Sequence, residues 1–335
     1  MTAILVAGGA GYIGSNMCKH LNKNGYQPIV LDNLTTGHRQ SVKWGPFFKG
    51  SLEDTALLNR IFMKHRPEAV MHFAGFSYVN ESVIEPCKYY RNNVAATINL
   101  METMLTNNIP NIIFSSSCAT YGEPVEIPIT EDHPQHPINP YGRSKLMIEQ
   151  ILADMKASHD LQYTSLRYFN AAGADPEGEL GEDHKPESHL IPLVLQAAFG
   201  QRDTVGIFGD DYPTKDGTCV RDYIHVNDIA QAHLLALERL LNGRPGGIYN
   251  LGNGGGYSVK EVIEVAKAVT GRPIPTEVFD RRAGDPGILI STSEKARKEL
   301  NWKPEFTNLH DIIGTAWQWL QNHPDGFENH VPKSK

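Results

Sequence analysis

Residues 3–16, AILVAGGAGYIGSN, run from an apolar stretch through four glycines into an amphipathic pattern. The first part reads as a buried strand. Ile13, Met17 and Leu21 recur every four residues and Gly25 stands where a helix would end, so a helix follows. PIVLD (28–32) reads as a second strand. Strand, glycine turn, helix and strand form one βαβ unit, which commits the chain to a parallel sheet. AVMHFAG (69–75), NIIFSSS (111–117) and YTSLRYFN (163–170) continue the alternation, each after a helical pattern.

The predicted fold class is α/β, a Rossmann-type doubly wound parallel sheet with a smaller C-terminal α/β substrate domain. Gly9, Gly11 and Gly14 satisfy GxGxxG, and Gly8, Gly11 and Gly14 satisfy GxxGxxG. Without Cβ atoms the backbone can turn tightly and approach a pyrophosphate at a helix N-terminus rich in free N–H groups. Asp32 closes the second strand, where a carboxylate binds both ribose hydroxyls and repels a 2′-phosphate. NAD is therefore expected over NADP. Ligands of such sheets lie at the carboxyl ends of the strands, where Gly75, Ser117 and Asn170 fall.

The 335 residues suit one large domain with an annex. The expected division is a dinucleotide domain over 1–175 with return segments at about 223–257, and a substrate domain over 176–222 and 258–335. DPEGELGEDHKPESHLIP (175–192) reads as a polar loop over the site. A net charge of −7 without a basic run argues against a nucleic-acid or anionic-membrane partner. No apolar stretch is long enough to span a membrane. Cys18, Cys87, Cys118 and Cys219 form no CxxC, so neither a disulfide scaffold nor a zinc site is expected, and a cytoplasmic setting fits. The fourteen histidines show no HExxH or paired-ligand spacing, so no metal is expected. CKHLNKNGYQ reads as plain helix surface.

In NPYGRSKLMIEQIL (139–152), Asn139 is a good N-cap and Pro140 a good first helical residue. Ile148, Ile151, Leu152 and Met155 form the sheet-facing stripe. Tyr141 and Lys145 are four apart and share a face. A tyrosine of pKa ~10 is a poor base, but an adjacent ammonium and the helix N-terminus both favour phenolate. The pair can thus act as an acid/base couple, with Ser117 at the neighbouring strand end.

The glycine turn with Asp32, the strand-end serine and YxxxK together resemble the extended short-chain dehydrogenase/reductase superfamily. GGAGYIGSN, LDNL, HFAG…ES, YYRNNV, FSSSCATYG, NPYGRSKLMIEQIL, LRYFNAAGA, GTCVRDYIHV, YNLGNG and RRAGD are similar, in order from about residue 7 to 285, to its UDP-glucose 4-epimerase family. The resemblance implies a homodimer that binds NAD tightly and interconverts UDP-galactose and UDP-glucose, with N-acetylated UDP-hexosamines as a further option. Hydride would leave sugar C4, the 4-keto sugar would turn over, and its other face would be reduced.

By the same resemblance Tyr141, Lys145 and Ser117 are catalytic. Gly8, Gly11, Tyr12, Ile13, Gly14, Asp32, Asn33, Ser51, Leu52, Phe73, Ala74, Gly75, Ser77, Asn92, Ser115, Tyr141, Lys145 and Tyr168 would hold the cofactor. Ser117, Tyr141, Asn170, His189, Leu190, Phe208, Arg221, Arg282, Asp285 and Leu289 would hold the UDP-sugar. Three positions depart from the family. Ser51 replaces an adenine-binding aspartate, Ser77 a lysine found in some members, and His189 the asparagine of an Asn-Leu pair. A nucleotide-sugar 4,6-dehydratase needs an Asp-Glu pair where Cys118 and Ala119 stand. An epimerase of another UDP-sugar (a uronic acid or pentose) and a non-catalytic NAD-sensing protein are the alternatives.

Overall fold

The structure, a computed structural model, describes residues 1–282 and 285–327. Ala283 and Gly284 of the RRAGD segment and residues 328–335 lie outside the described residues. In chain order the first lobe comprises β1 (Ala3–Ala7), α1 (Tyr12–Lys23), β2 (Gln27–Asp32), β3 (Phe47–Lys49), α2 (Thr55–His65), β4 (Ala69–His72), α3 (Val79–Ile84), α4 (Pro86–Tyr89), α5 (Ala96–Thr106), β5 (Asn111–Ser115), α6 (Pro140–Ser158) and β6 (Gln162–Tyr168). There follow β7 (Asn170–Ala172), α7 (Leu190–Phe199), β8 (Val205–Phe208), β9 (Val220–Arg221), β10 (Tyr223–His225), α8 (Val226–Leu241) and β11 (Ile248–Leu251). The chain ends with β12 (Tyr257–Ser258), α9 (Val259–Thr270), β13 (Thr276–Phe279), β14 (Ile288–Leu289), α10 (Glu294–Glu299) and α11 (Leu309–Asn322).

The main sheet has seven parallel strands in the order β11-β6-β5-β4-β1-β2-β3. Strand order reverses about β1, where Val6 faces Val30 of β2 and Met71 of β4. Crevices of such sheets open at that switch point. Apolar residues on both faces of each strand force cover on both sides. Met17 and Leu21 of α1 meet Ile229, Leu237 and Leu240 of α8 on one face, with Trp302 buried among them. On the other face Leu58 and Ile61 of α2, Leu100 and Met104 of α5, and Ile148 and Leu152 of α6 pack against Leu5, Val70 and Ile112. The stripe read from α6 thus faces the sheet.

A separate core joins α7, α9 and α11 through Val194, Leu195, Val262, Ile263, Ile312 and Ile313. It covers the parallel pair β8–β13. Short ladders carry residues from this region towards the main sheet's carboxyl ends: Leu289 pairs with Arg221, and Tyr223 with Asn170. One surface expectation fails. Lys19 of CKHLNKNGYQ is 3% exposed and binds Asp175, Glu177 and Glu179 at 2.6–2.9 Å. Burial works against its charge, but the three carboxylates outweigh it and raise its pKa. The helix surface is therefore an anchor for the start of the loop 173–189, which contains no helix or strand.

Candidate active site

A cleft of about 480 Å³ runs along the carboxyl ends of the sheet. Its floor is the glycine turn. Gly8 has φ +81°, and a Cβ there would come within 2.5 Å of the Ala74 nitrogen. A Cβ on Gly14 would lie 2.1 Å from the Gly8 oxygen. Only glycine lets β1, the turn and the loop after β4 meet so closely. Gly11 caps α1 without any side chain bonding to the first-turn N–H groups, and that turn has no acidic residue. Those donors and the positive helix end are what a pyrophosphate requires. Asp32 accepts from Ala10 N–H (3.0 Å) and Leu34 N–H (2.8 Å), which aim its carboxylate into the cleft. Burial raises its pKa despite both donors. These residues fit NAD: a cradle that a Cβ would fill, free helix donors, and a carboxylate at the second strand end.

At the other end of the cleft α6 begins. Asn139 accepts from Gly142 N–H at 2.8 Å and starts the helix. A Cβ on Gly142 would sit 2.4 Å from the Ala119 oxygen, so the first turn lies directly on the 3₁₀ turn Cys118–Thr120. Ser117 caps that turn. Close backbone packing is thus what brings Ser117 to Tyr141. Lys145 is buried, with Nζ 6.0 Å from the Tyr141 ring centre, and donates to the Ser115 carbonyl at 2.8 Å. Burial pushes its pKa down to about 8, against the pull of Glu149. Tyr141 differs from the sequence expectation. Burial raises its pKa, a hydrogen bond with Ser117 lowers it only in part, and Lys145 is not among the groups that shift it. The reason is that desolvation acts on both members of the pair.

The far wall is assembled from distant segments. Asn170 is held by its Nδ2, which donates to the Asp222 carbonyl at 3.0 Å. Arg221 bonds Asp285 through Nη2 and the Val220 carbonyl through Nη1 at 2.8 Å. Asp222 turns away from Arg221 and accepts from Asn253 and Gly254 N–H groups. Burial pushes it up to about 6. Leu289 lines the cleft and also packs on Cys118, Tyr121 and Ile129.

Residues 4–252 match the NAD dependent epimerase/dehydratase family. A UDP-glucose 4-epimerase of Halalkalibacterium halodurans is 54% identical over 325 residues, 97% of each chain. The chain belongs to the UDP-glucose 4-epimerase family. The crystal structure of UDP-glucose 4-epimerase from Brucella ovis in complex with NAD is 49% identical, with a TM-score of 0.93 over 95% of this chain and 98% of that one. The epimerase from Bifidobacterium longum in complex with NAD+ and UDP is 41% identical, with a TM-score of 0.92 over 97% of this chain and 100% of that one. NAD dependence comes with the epimerase family.

All the cofactor residues expected from the epimerase family line the cleft: Gly8, Gly11, Tyr12, Ile13, Gly14, Asp32, Asn33, Ser51, Leu52, Phe73, Ala74, Gly75, Ser77, Asn92, Ser115, Tyr141, Lys145 and Tyr168. Ser117, Asn170, His189, Arg221, Asp285 and Leu289 join them. Leu190, Phe208 and Arg282 lie outside that lining. Leu190 opens α7 and packs into the core of the second lobe. Phe208 stacks on Phe279 at 5.4 Å because β8 pairs with β13, and Arg282 covers its ring at 3.8 Å. The three therefore satisfy one another or the core outside the cleft. Ser51 already accepts from Glu53 N–H at 3.2 Å.

Other residues escaped the sequence reading. Asn93 sits in the π-helical turn Tyr90–Ala95 and bonds both Phe76 N–H (2.8 Å) and the Phe76 carbonyl (3.0 Å), as well as Ser144 (3.1 Å). It ties the loop beside Lys145 to α6, and the doubled asparagine of YYRNNV was the available signal. Beneath Ser117, buried Arg167 grips Glu149 through two nitrogens (2.9 and 2.5 Å), and Ser116 donates to the same carboxylate. A bidentate pair of this kind holds both strand end and helix in one geometry.

Proposed function

We propose that the chain interconverts UDP-galactose and UDP-glucose by oxidation at sugar C4, rotation of the 4-keto sugar and reduction of its other face. The observation that carries the reading is the meeting of Ser117, Tyr141 and Lys145 at one end of a cleft whose other end fits NAD. When bound, NAD supplies the two-electron acceptor and donor for C4. Tyr141 takes the proton of the 4-hydroxyl and later returns it. Ser117, which lies near enough to the phenol to lower its pKa, holds the same oxygen and relays the proton. Lys145, buried beside the Tyr141 ring, holds the nicotinamide ribose. Asn170, Arg221 and Asp285 grip the nucleotide, with the arginine fork suited to a diphosphate. The complexes of relatives with NAD and with UDP support this division.

In this reading residues 1–175 with 223–257 serve the cofactor, and 176–222 with 258–335 the sugar nucleotide. The protein works in the cytoplasm as a homodimer. No helix among the described residues is long and apolar enough to cross a membrane. Ile98 of α5 and Met147 of α6, 37% and 40% exposed, support a helical dimer face. Leu289 on the cleft wall supports tolerance of an acetamido group, since leucine is shorter than tyrosine. The test is turnover of UDP-galactose, UDP-N-acetylgalactosamine and UDP-glucuronate in parallel by purified protein. UDP-galactose should be converted fastest to its C4 epimer. Preference for the uronic acid, or no turnover of any sugar, would replace the reading with one of its alternatives.

A further inference from the structure

The loop that follows the Lys19 anchor carries a cluster, three of whose four members line the cleft, to which the proposed reaction gives no chemical step. Glu182, His184, Glu187 and His189 each offer one ligand atom, and all of these atoms lie within 4.8 Å of one another. His189 Nδ1 stands 2.8 Å from Glu182 Oε1 and 2.9 Å from Glu187 Oε1. His184 Nδ1 stands 3.1 Å from Glu182 Oε1 and 3.7 Å from Glu187 Oε2. The two carboxylates are 7% and 6% exposed, and the His184 side chain 17%. Both imidazoles present the same nitrogen to the same two acids. Such convergence inside a segment without helix or strand needs a cause, because both carboxylates and His184 have been taken out of water together and His189, 40% exposed, closes on them.

We propose that Glu182, His184, Glu187 and His189 hold one divalent transition cation of the zinc class, which clips the loop shut behind the cleft wall. Two imidazole nitrogens and two carboxylate oxygens are a zinc-type donor set, bound at ~2.0–2.2 Å in a tetrahedron whose ligand atoms stand roughly 3.3–3.6 Å apart. Three of the four nitrogen–oxygen spacings fall below that range and one above it, and all the ligand atoms lie within 4.8 Å of one another, so side-chain rotation can bring them onto one ion. Two carboxylates cancel the charge of the ion, and the buried cluster ends neutral. Calcium and magnesium, which take oxygen ligands, suit it poorly.

The cluster supplies four protein ligands and leaves no open position, which marks a structural site rather than a Lewis acid. Its place says what it holds. His184 packs edge-on to Tyr12 of the glycine turn (6.4 Å) and to Tyr78 beyond β4 (6.3 Å). His189 lines the cleft. The cation thus fixes the wall that faces both cofactor and sugar nucleotide. The expectation of no metal rested on familiar ligand spacings, whereas E-x-H-x-x-E-x-H works through a loop that folds back on itself.

The test uses the full chain without a histidine tag, loaded with NAD. The protein is dialysed against a chelator, then against zinc chloride at neutral pH, desalted, and measured for metal. One zinc per chain should remain, and calcium or magnesium chloride should not displace it. Cobalt chloride should give the intense visible bands of a tetrahedral nitrogen–oxygen site. Both signals should vanish in Glu182→Gln and in the His184→Ala/His189→Ala double variant, with NAD content reporting that each has folded. No retained zinc in the wild type, an octahedral cobalt spectrum, or equal retention in a folded variant would overturn the proposal. If neither variant folds, the wild-type stoichiometry and cobalt spectrum decide it.

Discussion

At the dinucleotide end of the cleft, backbone meets backbone; at the sugar-nucleotide end, side chains from distant segments meet one another. Gly8 and Gly14 each sit where a Cβ would strike main-chain atoms at 2.1–2.5 Å. Nothing flexible can yield there. Across the cleft, Arg221 leans on Asp285, and Leu289 on Cys118 and Tyr121. Those contacts can adjust by rotamer. The first region should therefore respond to substitution in an all-or-none way, and the second by degrees.

The largest effect belongs to the phenol where the two regions join. Tyr141→Phe should retain NAD and the fold yet lose ~10²–10⁴-fold in turnover, the range of general acid–base catalysis. Steady-state kinetics with bound NAD measured on the same sample checks it, and near-normal turnover would remove Tyr141 as the base. Next comes Gly14→Ala, which sets a methyl against the Gly8 carbonyl. It should cost about 1–3 kcal/mol of stability, as overpacking does, and abolish NAD retention. Gly25→Ala is its control, since that position has φ +80° but nothing within 4 Å. Its strain should lower the melting temperature without releasing NAD. Equal NAD loss in both variants would dissolve the distinction between close approach and turn strain.

Acid sets a third test. Burial pushes His72 and His225 down to about 3 and His233 down to about 4. The folded protein keeps these rings neutral, while the unfolded chain protonates them as pH falls through ~6.5. Stability should therefore drop from about pH 6.5 towards pH 4, and stop dropping on their account only where the folded rings protonate too. Denaturant titrations across that range should show a shallower loss for His233→Gln than for the wild type; an unchanged slope would contradict the assignment. The smallest effect is at Leu289. Leu289→Tyr should lower turnover of UDP-N-acetylgalactosamine relative to UDP-galactose by about 1 kcal/mol in transition-state terms, as added bulk in an apolar pocket does. Equal loss on both sugars would place its role in packing.

The same contrast explains what could be read from the chain. Gly8 to Gly14, Asp32, Ser117, Tyr141 and Lys145 act through local geometry: a turn, a strand end, a helix start. Their spacing carries the information, so both the fold and that half of the site were legible. The surroundings of Phe208 and Arg282 could not be read, because they depend on which strand β8 pairs with, and β13 lies some seventy residues further on. The packing of Leu190 against the second core was equally hidden, since it follows from where α7 starts. Lys19 looked like helix surface because its three acidic partners come from residues 175–179. The raised pKa of Tyr141 was beyond reach for a related reason. Spacing shows that Lys145 is near, but only packing shows how dry the pair is.

The central claim is that hydrogen leaves C4 and returns to the same carbon within one closed site. UDP-galactose carrying deuterium at C4 tests it directly, with the product analysed after complete turnover in ordinary water. The account predicts UDP-glucose that keeps the whole label at C4, because the hydrogen travels to the bound cofactor and back while only the hydroxyl proton passes through Tyr141. Label lost to solvent, or solvent hydrogen gained at C4, would contradict it.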